Sequence, residues 1–246
     1  GLVVGSAREQ LQRGDALGSV ESLAELSEDV STLVYRLQSE RARLALELAS
    51  KSAEAQKLAE TRPSAPYPPV TTSFQATDAA LSRLSRFVAS RDLSRLPPRL
   101  SDGLTQALKH LQRLAEVRTE AQSGGTSLAA LTDFYAQPSR RLIRSSAALS
   151  ELTDDGEVLR SIAALVAVLE LEERASAEHA LLSYVYTTGD FPPGSFRDLM
   201  TLVTEEQTFV EVLKTNASTA QFSEYQTRMK DPRCSTADDL RRAAIE

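Results

Sequence analysis

Apolar residues recur along this chain at spacings of three and four, the period of a helix face packed on other helices. Nowhere do they alternate singly with polar residues for long enough to make a half-buried strand. The clearest stripe runs through Leu23, Leu26, Val30, Leu33, Leu37, Leu44 and Leu48, and predicts a first helix from about Val20 to Glu60. Arg62–Pro69 carries four prolines, so residues 61–72 read as an extended connector. A second helix is expected over Ser73–Arg91, with Phe74, Leu81, Leu84 and Val88 inward. Beyond the Leu96-Pro97-Pro98 break, Ser101 caps a third to about Gln122, carrying Leu104, Leu108, Leu111 and Leu114. Ser123-Gly124-Gly125 ends it, and Ser127 caps a fourth to about Leu152 that Pro138 should kink or split. Thr153-Asp154-Asp155 starts a long fifth helix to about Tyr186. After a Gly189–Gly194 loop, further helices are expected over Ser195–Asn216, Thr219–Met229 and Thr236 to the end. The fold class is all-α: antiparallel helical bundles, two stacked four-helix-type bundles sharing long helices, in a single domain over 1–246. No internal repeat of solenoid length is present.

Composition fits this picture and removes several functions. Aromatic residues make up 5% of the chain and tryptophan is absent, so the core rests on Leu, Ala and Val. A net charge of −6 argues against a nucleic-acid surface, which needs basic residues to neutralise phosphates. One cysteine, Cys234, and two histidines, His110 and His179, leave no Cys- or His-based metal site. No stretch approaches the ~20 apolar residues that span a bilayer. The sequence opens at Gly1-Leu2-Val3-Val4-Gly5 without an initiator Met and closes inside a helical pattern. Both features fit a domain cut from a longer protein, with residues 1–19 as a lead-in or the end of an excised membrane helix.

Candidate chemistry lies where the stripes break. Continuing the first seam from Leu37 toward Leu44 meets Glu40 beside Arg41. The third seam arrives at Arg118. The fifth helix is interrupted by Glu170-Leu171-Glu172-Glu173-Arg174, and then by Glu178-His179. Charges on buried faces must pair with each other, reach water or hold an ion. An arginine cluster with one uncompensated positive charge would bind a small oxyanion, because guanidinium N–H groups match two oxygens at once. Ligand-free interhelical Glu–Arg pairs account for the same residues, and for Glu170–Glu178 so does a solvated face with i,i+4 pairing. Gly-rich phosphate loops, nucleophile elbows and HExxH are absent, so no catalytic residue, cofactor or enzymatic role is expected.

The residues at these breaks resemble those of nitrate- and nitrite-sensing domains of bacterial sensor proteins. LVYRLQSERARL (Leu33–Leu44) is similar to the family's first-helix element, in which a Gln-x-Glu-Arg-like run follows an apolar stretch. Leu111–Leu152 resembles its middle, with Arg118 and Tyr135 at matching places. Leu169–Leu182 resembles the later motif Lys-Glu-x-x-Gly-x-Glu-Arg-Ala, where Glu173, Glu178 and Ala180 match. Ser176 stands in place of the glycine and His179 in place of the arginine.

The resemblance implies a nitrate-class anion held between helices by arginines. Carried onto this chain, the ligand-binding residues would be Arg41, Arg118, His179 and Arg174, with Glu40, Glu173 and Glu178 in support. A neutral histidine supplies one hydrogen bond and no charge, so the ligand need not be nitrate itself. It also implies a sensor role in a histidine kinase, chemoreceptor or antiterminator. With the charged breaks and the abrupt termini, the expectation is an extracytoplasmic domain with flanking membrane helices and a cytoplasmic output module, open to homodimerisation. A cytoplasmic location is the alternative for the compartment. For function, the alternative is a ligand-free interaction or dimerisation scaffold.

Overall fold

The computed structural model describes residues 17–52, 69–90, 93 and 96–246. Residues 1–16, the side chain of Leu23 and most of the proline-rich connector lie outside this set. Among the described residues there are nine α-helices and no strand: α1 (Leu17–Ser50), α2 (Val70–Ala89), α3 (Pro98–Leu111), α4 (Leu114–Ser123), α5 (Leu128–Ala147), α6 (Gly156–Thr188), α7 (Ser195–Asn216), α8 (Thr219–Met229) and α9 (Pro232–Ile245). A 3-10 turn, Ala148–Leu152, links α5 to α6.

The two long helices organise the bundle. One face of α1, from Leu26 through Leu33, Val34, Leu37, Leu44 and Ala45, is buried and packs on α2, α5 and α6. Helix α3 lies along α5, and the approach is close: a Cβ on Gly103 would stand 1.8 Å from Ser145 Oγ. Helix α6 buries residues on two sides. Its Ile162, Leu165 and Leu169 join the main core, while Ala164, Ala167 and Leu171 form a second core with Leu213 of α7 and Phe222 and Tyr225 of α8. No helix among the described residues is long and apolar enough to cross a membrane.

Several caps are those the sequence predicts. Ser127 Oγ accepts from the Ala130 amide, and Asp155 accepts from Glu157 and Val158. Gly124 (φ 75°) closes α4 in the left-handed region that glycine enters without a steric penalty.

The structure corrects several of the expected boundaries. Helix α1 ends at Ser50, not near Glu60; its apolar stripe runs out at Leu48 and Ala49, and Lys51 and Ser52 turn back onto those carbonyls. The connector gives way to α2 at Val70, so its last three expected residues are helical. The expected Ser101–Gln122 helix is α3 and α4, separated where the Gln112 and Arg113 amides bond three residues back instead of four. Ser101 is not its cap: Pro98, whose fixed φ suits the first turn, precedes it. Pro138 does not split α5, which runs unbroken from Leu128 to Ala147. Likewise α9 begins at Pro232, four residues before the expected start.

Candidate functional site

Residues 37, 40, 41 and 44 share a helix face by their three- and four-residue spacing. Glu40 and Arg41 therefore occupy the turn between Leu37 and Leu44, and both are 0% exposed. Each is paired with a different neighbour.

Glu40 meets Arg118 of α4 in a two-pronged pair, Nε to Oε1 at 2.8 Å and Nη2 to Oε2 at 2.9 Å. The Tyr135 hydroxyl of α5 donates to Oε1 at 2.5 Å. Arg118 also donates to Asp78 Oδ1 (2.8 Å) and the Phe74 carbonyl (3.3 Å), with its guanidinium 4.5 Å above the Phe74 ring. Burial alone would lower the Arg118 pKa, but the bonds and charge of Glu40 and Asp78 outweigh it and hold the side chain protonated. Burial, and then the Glu40 charge, push the Tyr135 phenol up, so it remains a donor.

Arg41 turns to α6. Nη1 donates to Glu173 Oε1 at 2.6 Å and Nη2 to the Glu173 carbonyl at 3.4 Å. Gln38 Nε2 donates to the other Glu173 oxygen at 3.0 Å, and Ser176 Oγ donates to the Gln38 carbonyl at 3.3 Å. Arg41 Nε is buried with no partner. An orphaned donor on a buried charged group costs ~1–3 kcal/mol and calls for an explanation. The surplus positive charge expected of the cluster is absent: Arg41 stands against Glu173 and Arg118 against Glu40, with Asp78 in addition.

The other expected residues sit elsewhere. Arg174 follows Glu173 by one position, about 100° around the helix, and faces α7. There it pairs with Glu205 (3.0 Å) and its own Glu170, and lies 4.7 Å over the Phe209 ring. His179 is exposed, on the wall of a cavity of about 1580 Å³ among α1, α6, α7, α8 and α9 that Arg41 does not line. Its surroundings lower its pKa, while the Glu178 charge opposes. Glu178 accepts from Arg241 of α9 at 2.7 Å, and Arg241 also binds Glu206 of α7 at 2.7 Å. Thus Arg41, Arg118, Glu40 and Glu173 come together around one turn of α1, whereas Arg174, Glu178 and His179 do not join them. Among the described residues no group of three or more His, Cys, Asp or Glu side chains is placed to hold a metal.

A buried Gln-x-Glu-Arg turn on the first helix, answered by a glutamate of the later long helix, is the arrangement to set against known proteins. The family described as nitrate and nitrite sensing matches residues 32–246. The chain belongs to that family. Among solved structures, the NasR transcription antiterminator is similar with a TM-score of 0.77 at 19% identity. The match covers 98% of this chain and 60% of that one, so this chain spans less than two thirds of the NasR chain. At that identity the likeness shows the fold alone. No curated protein matches the chain.

Sequence reasoning on this member of the nitrate and nitrite sensing family missed Gln38, Asp78, Glu206 and Arg241. Gln38 carried a usable signal, since it lies four residues after Val34 on the buried face. Asp78 lies one turn beyond Phe74, and both touch Arg118. Glu206 and Arg241 fall on half-exposed helices whose charges read as ordinary surface.

Proposed function

We propose that this domain senses a nitrate-class planar anion at Arg41, between α1 and α6. Family membership supports the ligand class. The observation that carries the site is the unpartnered Nε of a guanidinium that is otherwise fully buried. A planar oxyanion set edge-on to Arg41 would engage Nε and one Nη together, the two-pronged geometry that lysine cannot offer. Arg118 holds Glu40 and thereby the turn that carries Arg41, and so acts as a positioning residue. The role is sensing and not catalysis. An extracytoplasmic position, membrane flanks, and coupling to a histidine kinase, chemoreceptor or antiterminator output belong to the same proposal, as does homodimerisation. The net charge of −6 disfavours nucleic-acid contact by this chain itself.

Calorimetry with nitrate and nitrite tests the proposal. Wild-type protein should release heat on binding, and Arg41→Lys, which keeps the charge but loses Nε and the fork, should stay folded and bind at least ~tenfold more weakly. Folded wild-type protein that shows neither heat nor a thermal shift with any planar anion would refute it.

The pairing of both arginines with carboxylates favours a second reading, a ligand-free scaffold. On that reading, Arg41 substitutions change stability or association and leave every small-molecule response untouched.

A further inference from the structure

Arg41 has no exposed surface, and the Glu173 carboxylate occupies its Nη1 edge. A carboxylate and a nitrate are both planar, delocalised oxyanions that present paired oxygens to a guanidinium. Adding an anion to the existing pair would set two negative charges against one buried positive charge, which a low-dielectric interior does not tolerate. Removing the carboxylate as the anion enters keeps the balance. We propose that Glu173 is a tethered competitor for the anion, holding Arg41 in the empty domain and leaving it when the ligand binds. This inference rests on the sensing role proposed above and assigns its regulation.

The exchange also supplies a signal. Four side-chain bonds tie α1 to α6 here: Arg41 to the Glu173 carboxylate and to its carbonyl, Gln38 to the Glu173 carboxylate, and Ser176 to the Gln38 carbonyl. Ejecting the Glu173 carboxylate breaks two of them together. The anion therefore favours an arrangement of the long helices that the empty domain does not, and only such a difference in affinity can shift a conformational equilibrium. Ligand affinity in the wild type is correspondingly reduced, since a tethered group competes at an effective concentration in the millimolar range.

Two variants test this: Glu173→Gln, which removes the charge at nearly constant shape, and Glu173→Asp, which retains it but retracts it by one methylene. Nitrate is titrated into wild type and both variants by calorimetry, with circular dichroism to establish folding. Glu173→Gln should bind nitrate on the order of tenfold more tightly than wild type, with a smaller gain in Glu173→Asp. If Glu173→Gln does not fold, the comparison of Glu173→Asp with wild type decides. Wild type that binds nitrate while a folded variant binds it equally or more weakly overturns the competitor and leaves the sensing role intact. Folded wild type and variants that all fail to bind any planar anion overturn the sensing role, and the competitor with it.

Discussion

Tyr135 of α5 and Glu40 of α1 meet at 2.5 Å, and both are wholly buried. The phenol bonds a carboxylate oxygen that already receives Arg118 Nε. Glu40 thus accepts three donated hydrogens from two neighbouring helices.

Tyr135→Phe removes one of those donors and leaves the Arg118 pair in place. A hydrogen bond to a charged group contributes ~1.5–3 kcal/mol, so urea unfolding should show a loss in that range. Arg118→Met strips the carboxylate of its counter-charge and should cost more, ~3–5 kcal/mol. The double variant Glu40→Leu with Arg118→Met should recover most of that loss, because the buried charge has gone with its partner. Equal costs for Tyr135→Phe and Arg118→Met would mean that Glu40 is not held in the way described.

Pro138 sits inside α5, where it cannot donate to the Phe134 carbonyl four residues back. His110 of α3 takes the vacated place: its Nε2–H donates to the Phe134 oxygen at 3.0 Å, and its ring lies 4.5 Å from the Phe134 ring. The helix stays whole because another helix repairs the gap. His110→Leu should cost ~1 kcal/mol. Pro138→Ala restores the helical amide, so it should stabilise His110→Leu by ~0.5–1.5 kcal/mol more than it stabilises wild type. Thermal or urea unfolding of the four proteins closes the cycle, and additive effects would refute the repair.

Burial lowers the His110 pKa from 6.5, with Arg141 and Arg113 acting in the same direction and the Phe134 bond and Asp133 against it. His179 is also lowered. A base whose folded pKa is depressed is protonated more readily in the unfolded chain. Its contribution to stability is therefore complete above pH ~6.5 and falls as pH drops from there toward the folded value. Glu206 and Glu172, raised from 4.5 chiefly by burial, act with the opposite sign at lower pH. Unfolding free energy measured between pH 7.5 and 5 should decline in wild type and decline less steeply in His110→Gln. An unchanged slope would show that His110 does not titrate differently on folding.

The bundle was largely legible in the chain because helix periodicity is local. Leu104, Leu111 and Leu114 hold their inward spacing across the join between α3 and α4, so the stripe predicted burial well and hid the break entirely. The end of α1 was lost because Ser50 and Lys51 are not strong breakers. Around the site, Glu40, Arg41, Arg118 and Glu173 announced themselves as charges on apolar stripes. Which carboxylate meets which arginine was not readable, because that depends on how the helices are turned about their axes. A rotation of 100° separates Glu173, facing Arg41, from Arg174, facing Glu205. The same geometry removes His179 from the site, although its motif position had placed it there.

The C-terminal helix supplies the last prediction. No described residue beyond Leu213 is buried, so apolar packing holds α9 only weakly. What ties it down is Arg241, bound to Glu178 of α6 and Glu206 of α7, together with the Tyr186 hydroxyl donating to the Leu240 carbonyl at 2.6 Å. The Glu178 side chain is only 6% exposed, so its charge needs this partner. Arg241→Ala should release α9 before the rest of the bundle loosens. Hydrogen exchange across Pro232–Ile245 should rise on the order of tenfold, the equivalent of ~1.4 kcal/mol in local opening, while α2 and α3 keep wild-type protection. Arg241→Lys, which retains one charged donor without the fork, should fall between the two. Exchange in α9 that does not change would mean that the arginine is not the attachment. A uniform rise across all helices would mean that α9 is integral to global stability.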